Sequence, residues 1–444
     1  MTTHLTRRWF ITLVGTGATA AAVAGCRPGT GGDDAEGDAG SGGATSDVEL
    51  RLMVWASAEE ADRYEQDLAG FTDSTGIGVK LEFLDVGGYQ DKLNTLFAAG
   101  DPPDVMFLVG RWIGEYASRG VLADMREYTD VLDLDAVNQP ILEQATYEGT
   151  LMGVPTGSTT IGFVYNAELI ESLGLTLPDD TTWSWDDFVD FNTQIYEASG
   201  GETYGTGFYV PWLPTITQWV RQRGQDLFMA DGTLGTDAET IADYFQMVQD
   251  MRASGGFAPK GALEEDAAAS LEQSPIGRGL IASQIIPANQ FSDLNTGLDG
   301  KLALLRVPGE TDQVRRGYTV TPTLLWSMAA ESEHPSEAAQ LVDYLTNDPA
   351  SYAARSIFLG VPINADVAEA LAPDLDENQQ TFVDFTVAIS EEDLPPYAME
   401  PAGAGEVQNI LVTLSTEVEY ERMTPQEAGE EFMTQGAAAL ESAG

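Results

Sequence analysis

Cysteine occurs once in the 444 residues, as Cys26, and histidine twice, as His4 and His334. That inventory excludes an internal disulfide framework, and it leaves almost no room for a Cys/His zinc site or for Cys–His or Ser–His–Asp catalysis. Basic residues are also scarce, 21 against 71 acidic ones, for a formal net charge of −50. Lysine is limited to Lys80, Lys92, Lys260 and Lys301. Such a surface repels nucleic acid and anionic lipid, and disfavours phosphorylated ligands unless a local arginine cluster overrides the field. No DxDxDG-type loop organises the acids for calcium, so they read as a solvated surface suited to a saline medium, with no metal and no cofactor. The stretch from Trp9 to Ala24 is apolar and uncharged, but falls short of the ~20 residues that cross a bilayer as a helix.

That stretch follows Arg7-Arg8 and ends at Val23-Ala24-Gly25-Cys26, the layout of an export signal. Val23 to Cys26 resembles the bacterial lipoprotein signal, and Thr6-Arg7-Arg8-Trp9-Phe10-Ile11 resembles the twin-arginine motif. Residues 1–25 are therefore expected to be a signal peptide and Cys26 a lipidated first residue. Residues 26–47, rich in Gly and acids, then form a flexible tether. The protein is expected to work extracytoplasmically, anchored to the outer face of the cytoplasmic membrane.

The folded body opens with strand periodicity at Val48, Leu50, Leu52 and Val54, then helical spacing at Ala61, Tyr64, Leu68 and Phe71. Val79, Leu81 and Phe83 alternate again. Tyr89, Leu93 and Leu96 mark a second helix, and Val105–Val109 a buried strand. Strand–helix–strand–helix–strand predicts an α/β fold with a parallel sheet. Ligands bind such sheets beyond the carboxyl ends of the strands, which places the loops 55–60, 84–89 and 108–114 at the binding edge. Further helices are predicted at 185–196, 238–252, 405–420 and 425–441, and an apolar strand at 280–286.

The order of motifs resembles the bacterial extracellular solute-binding proteins of the carbohydrate, maltodextrin-binding-like type, which serve ABC importers. The resemblance rests on Thr75-Gly76-Ile77, Ala98-Ala99-Gly100-Asp101-Pro102-Pro103-Asp104-Val105, Tyr116-Ala117-Ser118-Arg119-Gly120-Val121-Leu122, Gly153-Val154-Pro155-Thr156, Tyr165-Asn166, Thr182-Trp183-Ser184-Trp185 and Gly360-Val361-Pro362. It implies a two-lobe periplasmic-binding-protein fold, each lobe a mainly parallel sheet flanked by helices, joined by a hinge. The first lobe is expected over 48–155 and 310–350, the second over 156–309 and 351–444, with crossings near 154–160, 306–312 and 348–356. It also implies a monomeric receptor that captures a sugar and delivers it to a permease, with no chemistry of its own.

A pyranose offers an apolar face, which packs on Trp or Tyr, and a rim of hydroxyls, which takes polar partners. The segment Pro103–Ala117 matches the family without a gap. Where maltodextrin-type members carry an acid and an arginine, this chain has Arg111 and Trp112. Trp112 fits either ligand contact or packing on its own lobe. Trp55, Ser57 and Glu59 lie on the first strand–helix loop, Trp55 being equally suited to the core. Tyr89 leans to the core. In the second lobe, Tyr209 and Trp212 stand on a proline-flanked loop, while Trp219 falls on core spacing. Thr159 sits in the first crossing. Where relatives place Gly-Pro-Trp, this chain offers Gln284 and Asn289 instead. The loop Met399–Gln408 lacks the family's aromatic and leaves Glu400, Glu406 and Gln408, which favours a mono- or short oligosaccharide. Arg315-Arg316 would suit an acidic sugar if both faced the cleft, and otherwise forms surface ion pairs. The competing readings are a two-carboxylate glycosidase, which no motif singles out, and a receptor for a non-sugar solute such as a polyamine.

Overall fold

The computed structural model describes residues 47–263, 273–394, 397 and 400–443. Cys26, the signal and most of the tether lie outside them. The strand Glu49–Trp55 carries Leu50, Leu52, Met53 and Val54 wholly buried, and pairs in parallel with Gly78–Leu84 and Val105–Leu108. Between these strands lie two helices whose ends are written locally. Ala58–Thr75 starts on a capping box, with Ser57 accepting from the Glu60 N–H while the Glu60 carboxylate accepts from the Ser57 N–H at 2.6 Å. Val86–Ala99 starts on Asp85, which accepts from the Gly87 and Gly88 N–H groups. Tyr89 points into the core, where its hydroxyl accepts from the Phe107 N–H and reaches the Met53 and Phe107 carbonyls, each at 3.0 Å. This pins the carboxyl ends of two neighbouring strands to one helix.

The first sheet has the order 78–84, 49–55, 105–108, 325–328, 154–155, and its last two pairings are antiparallel. The second has the order 302–305, 161–166, 281–287, 204–206, and only its last pairing is parallel. The α/β two-lobe architecture is as expected, and each sheet runs mainly one way. The exception in the first is Leu325–Met328, antiparallel to both its neighbours, and in the second Ile161–Asn166, which enters from the hinge and is flanked on both sides by strands running the other way. That register sets Pro287 opposite Ile161, so one strand ends where the other begins. Each lobe buries its own aromatic-rich core, one around Phe107 and Trp326, the other around Phe163, Phe188 and Trp219.

Three segments meet between the sheets. Ser158–Thr159 pairs with Thr321–Pro322, and Ser158 also bridges to Val361. Gly360 makes this possible: its φ is 109°, and a Cβ there would stand 2.4 Å from Thr323 Oγ1 and 2.7 Å from the Ser158 carbonyl. Two boundaries differ from expectation. Residues 309–315, expected with the first lobe from 310, make their bonds to the second: Gly309 N–H to the Trp183 carbonyl and Val314 N–H to the Gln222 carbonyl. Helix Pro349–Arg355, expected mostly with the second lobe, packs on Ala58–Thr75 of the first through the fully buried Arg355–Asp67 pair at 2.6 Å. The second and third connections thus run near 319–323 and 358–361. Among the described residues no helix is long and apolar enough to cross a membrane.

Candidate functional site

A cavity of about 670 Å³ opens between the lobes, within the range of small-molecule sites. Its first-lobe wall is built at the carboxyl ends of the parallel strands: Trp55 at the end of Glu49–Trp55, and Val109 to Arg111 just past Val105–Leu108. Its second-lobe wall carries Trp212 and the segment Pro287–Gln290, and its floor is the three-segment hinge.

Trp55 is held edge-on by three rings, Tyr89 at 5.1 Å, Phe107 at 5.5 Å and Trp112 at 5.8 Å. A ring braced in this way loses little freedom when a ligand packs on it. Trp212 stands opposite, half-buried at the head of helix Leu213–Gln222. Its helix is fixed by Gln408, which accepts from the Leu213 N–H at 3.1 Å and donates to the Pro211 carbonyl at 2.5 Å. Tyr397 and Phe358 add further aromatic surface.

The polar lining falls into two groups. Thr159 and Asn289 are already engaged: the Asn289 amide donates to the Phe358 carbonyl at 2.7 Å, and its oxygen lies 3.2 Å from Thr159 Oγ1. They brace the hinge. Gln144 Oε1 and Thr323 Oγ1, in contrast, are buried without a partner although both residues line the cavity. An unpaired buried polar atom costs roughly 1–3 kcal/mol, which a ligand hydroxyl would recover.

Arg111 opens helix Gly110–Ser118, with its guanidinium 5.1 Å from the Trp112 ring centre. Burial lowers its pKa, against the attraction of Glu400 and Tyr209. Burial likewise raises the Glu400 carboxyl, against the opposing pull of Arg111. Glu400 comes from the second lobe, beside Ala402, whose backbone N would lie 2.7 Å from a Cβ at Gly114. Only a glycine on that helix lets the two lobes approach so closely.

Of the eleven candidates read from the sequence, the cavity gathers Trp55, Arg111, Thr159, Trp212 and Asn289. Ser57 is consumed as a helix cap, and the Glu59 side chain lies outside the described structure. Trp112 is core, 6 % exposed and stacked on Tyr89. Tyr209 stands exposed beyond the lining, near enough to Arg111 that each shifts the other's pKa. Gln284 sits within the second sheet opposite Val164 and is not part of the lining. Glu406 is exposed on helix Ala404–Glu419, where it accepts from Asn409. The aromatic sought in the loop after Met399 stands just before it, as Tyr397. Glu400, one of the polar residues left in that late loop, lines the cavity, whereas Thr217 and Gln144 were missed and carried no signal.

Arg315 and Arg316 do not line the cavity. Arg315 pairs with Asp226 at 2.9 Å, and Arg316 with Glu392 at 2.5 Å and Glu310 at 3.2 Å. They are surface-network arginines of the second lobe.

A binding protein of Brucella abortus is 23 % identical over 67 % of this chain and 72 % of its own length. The diacetylchitobiose-binding protein of Streptomyces coelicolor is 26 % identical over 38 % of this chain and 39 % of its own. Among solved structures, a periplasmic oligogalacturonide-binding protein from Yersinia enterocolitica in complex with saturated digalacturonic acid superposes with a TM-score of 0.78 at 22 % identity, covering 89 % of this chain and 100 % of the other. The profile of the bacterial extracellular solute-binding proteins matches residues 56–352, and with the two-lobe fold and its interlobe cavity this chain belongs to that family.

Proposed function

We propose that the protein is the receptor of an ABC importer, and that it captures a mono- or short oligosaccharide between its lobes and presents it to the membrane permease. The observation that carries this reading is a pair of tryptophans, Trp55 and Trp212, facing one cavity from opposite lobes among polar groups that lack partners. Contacts drawn from both lobes give a ligand its differential affinity for the closed form, which is what shifts the population. In this reading the lipidated Cys26 and the segment after it keep the receptor near its permease. The diacetylchitobiose- and oligogalacturonide-binding proteins that this chain resembles support the ligand class.

A thermal-shift screen of residues 48–444 against neutral sugars, uronic acids and polyamines tests it. A saccharide at about 100 times its Kd adds ~2.7 kcal/mol of stability. Trp212→Ala weakens binding by about 2 kcal/mol, roughly thirty-fold in Kd. The cavity also holds three carboxylates, Glu60, Asp293 and Glu400, against one arginine, which gives a polyamine receptor its one supporting observation. Stabilisation by spermidine alone would replace the saccharide reading with that one.

A further inference from the structure

Arg111 is the single cationic residue among the described residues lining the cavity. The other arginines near the second-lobe wall are spoken for: Arg315 and Arg316 as above, and Arg221 by Asp226 at 2.7 Å. Arg63 sits 5.9 Å from the Phe358 ring centre and is not part of the lining. No described carboxylate comes within the 4 Å of a direct ion pair with Arg111, yet Glu400 is its principal opposite charge. The two line one cavity from different lobes without meeting directly. Glu400 reaches the first-lobe wall, its Oε2 lying 3.7 Å from where a Gly110 Cβ would be.

We propose that Glu400 sets the charge specificity of the cleft: it neutralises Arg111 and so makes the receptor reject sugars bearing a carboxylate. This rests on the saccharide reading above. A uronate entering the cavity would find one cation already countered, with Glu60 on the same walls. In a partly desolvated site like charges repel strongly, which suppresses wrong partners more than it tightens right ones. A neutral sugar hydroxyl, which both donates and accepts, can bridge a guanidinium and a carboxylate at once.

The test is calorimetric titration of the wild type and Glu400→Gln with digalacturonic acid and with a panel of neutral disaccharides, the tightest neutral binder serving as reference. The wild type is expected to prefer the neutral sugar, and Glu400→Gln to move the ratio of the two affinities at least ten-fold toward the uronate. Glu417→Gln removes an equal charge from an exposed pair with Arg422 and is expected to leave the ratio unmoved. The proposal is overturned if the wild type prefers the uronate, if Glu400→Gln leaves the ratio where it was, or if Glu417→Gln shifts it equally. A wild type that binds no saccharide at all ends the carbohydrate reading and this inference with it, whereas the first three outcomes leave that reading standing.

Discussion

Asp67–Arg355 and Arg111–Glu400 each set an arginine against a carboxylate and do opposite things. Asp67 and Arg355 are fully buried and in direct contact at 2.6 Å, with Ser351 bonded to both and the Leu345 carbonyl accepting from the guanidinium. That pair ties two helices within one lobe. Arg111 and Glu400 sit on different lobes, at a cavity wall, sensing each other without direct contact. A charge pair completed by its own lobe fixes the frame; a pair left incomplete across a gap is available to a guest.

Breaking the complete pair gives the largest effect. Asp67→Ala leaves Arg355 buried without its anion and lowers stability by ~3–5 kcal/mol, read from equilibrium unfolding in denaturant, while ligand affinity of the folded fraction stays within two-fold. A loss of affinity with no loss of stability would erase the distinction between the two pairs. Obstructing the approach of the lobes does the reverse. In Gly114→Val a Cβ would press on the Ala402 backbone, so affinity falls at least ten-fold, about 1.4 kcal/mol. Scattering with saturating ligand would then show the more extended particle.

The smallest effect belongs to Arg316, 43 % exposed beside Glu392 and Glu310. Arg316→Gln is expected to change stability by less than ~1 kcal/mol. Burial alone would raise the Glu392 carboxyl, but the bonds from Arg316 and Arg306 outweigh it and hold the pKa below its usual value. The contribution of Glu392 is therefore present above the unfolded-state carboxylate pKa and lost as pH falls through the lower folded one. Arg316→Gln should flatten that acid limb of the unfolding curve. A variant that changed ligand charge preference instead would return Arg316 to the site.

The lobes were legible because one-sided burial repeats. Val48 to Val54, the helical spacing of Tyr64, Leu68 and Phe71, and the runs at 238–252 and 425–441 all mark elements found within a few residues of the expected bounds. The hinge was harder. Residues 309–315 carry no periodicity, and their backbone bonds to Trp183 and Gln222 and the Arg315–Asp226 pair show which lobe holds them. The site divided along similar lines. Trp55 and Trp212 were readable as aromatics at the ends of elements. Arg111 and Trp112 were not separable, because neighbours on a helix point about 100° apart, which here sends one to the cavity and the other to the core. Glu400 and Tyr397 belong to an aperiodic stretch whose role comes wholly from what it meets in space.

The insertion of Leu325–Met328 beside Val105–Leu108 has a consequence for biogenesis. The second sheet draws all its strands from one uninterrupted stretch, 161–305, so it can be finished as soon as that stretch has been synthesised. The first cannot: strand 105–108 keeps a bare, apolar margin until residues made much later slot in next to it. During that wait the nascent chain presents an open β-edge, the feature that invites mispairing and aggregation, and the hazard ends only when the late strand arrives.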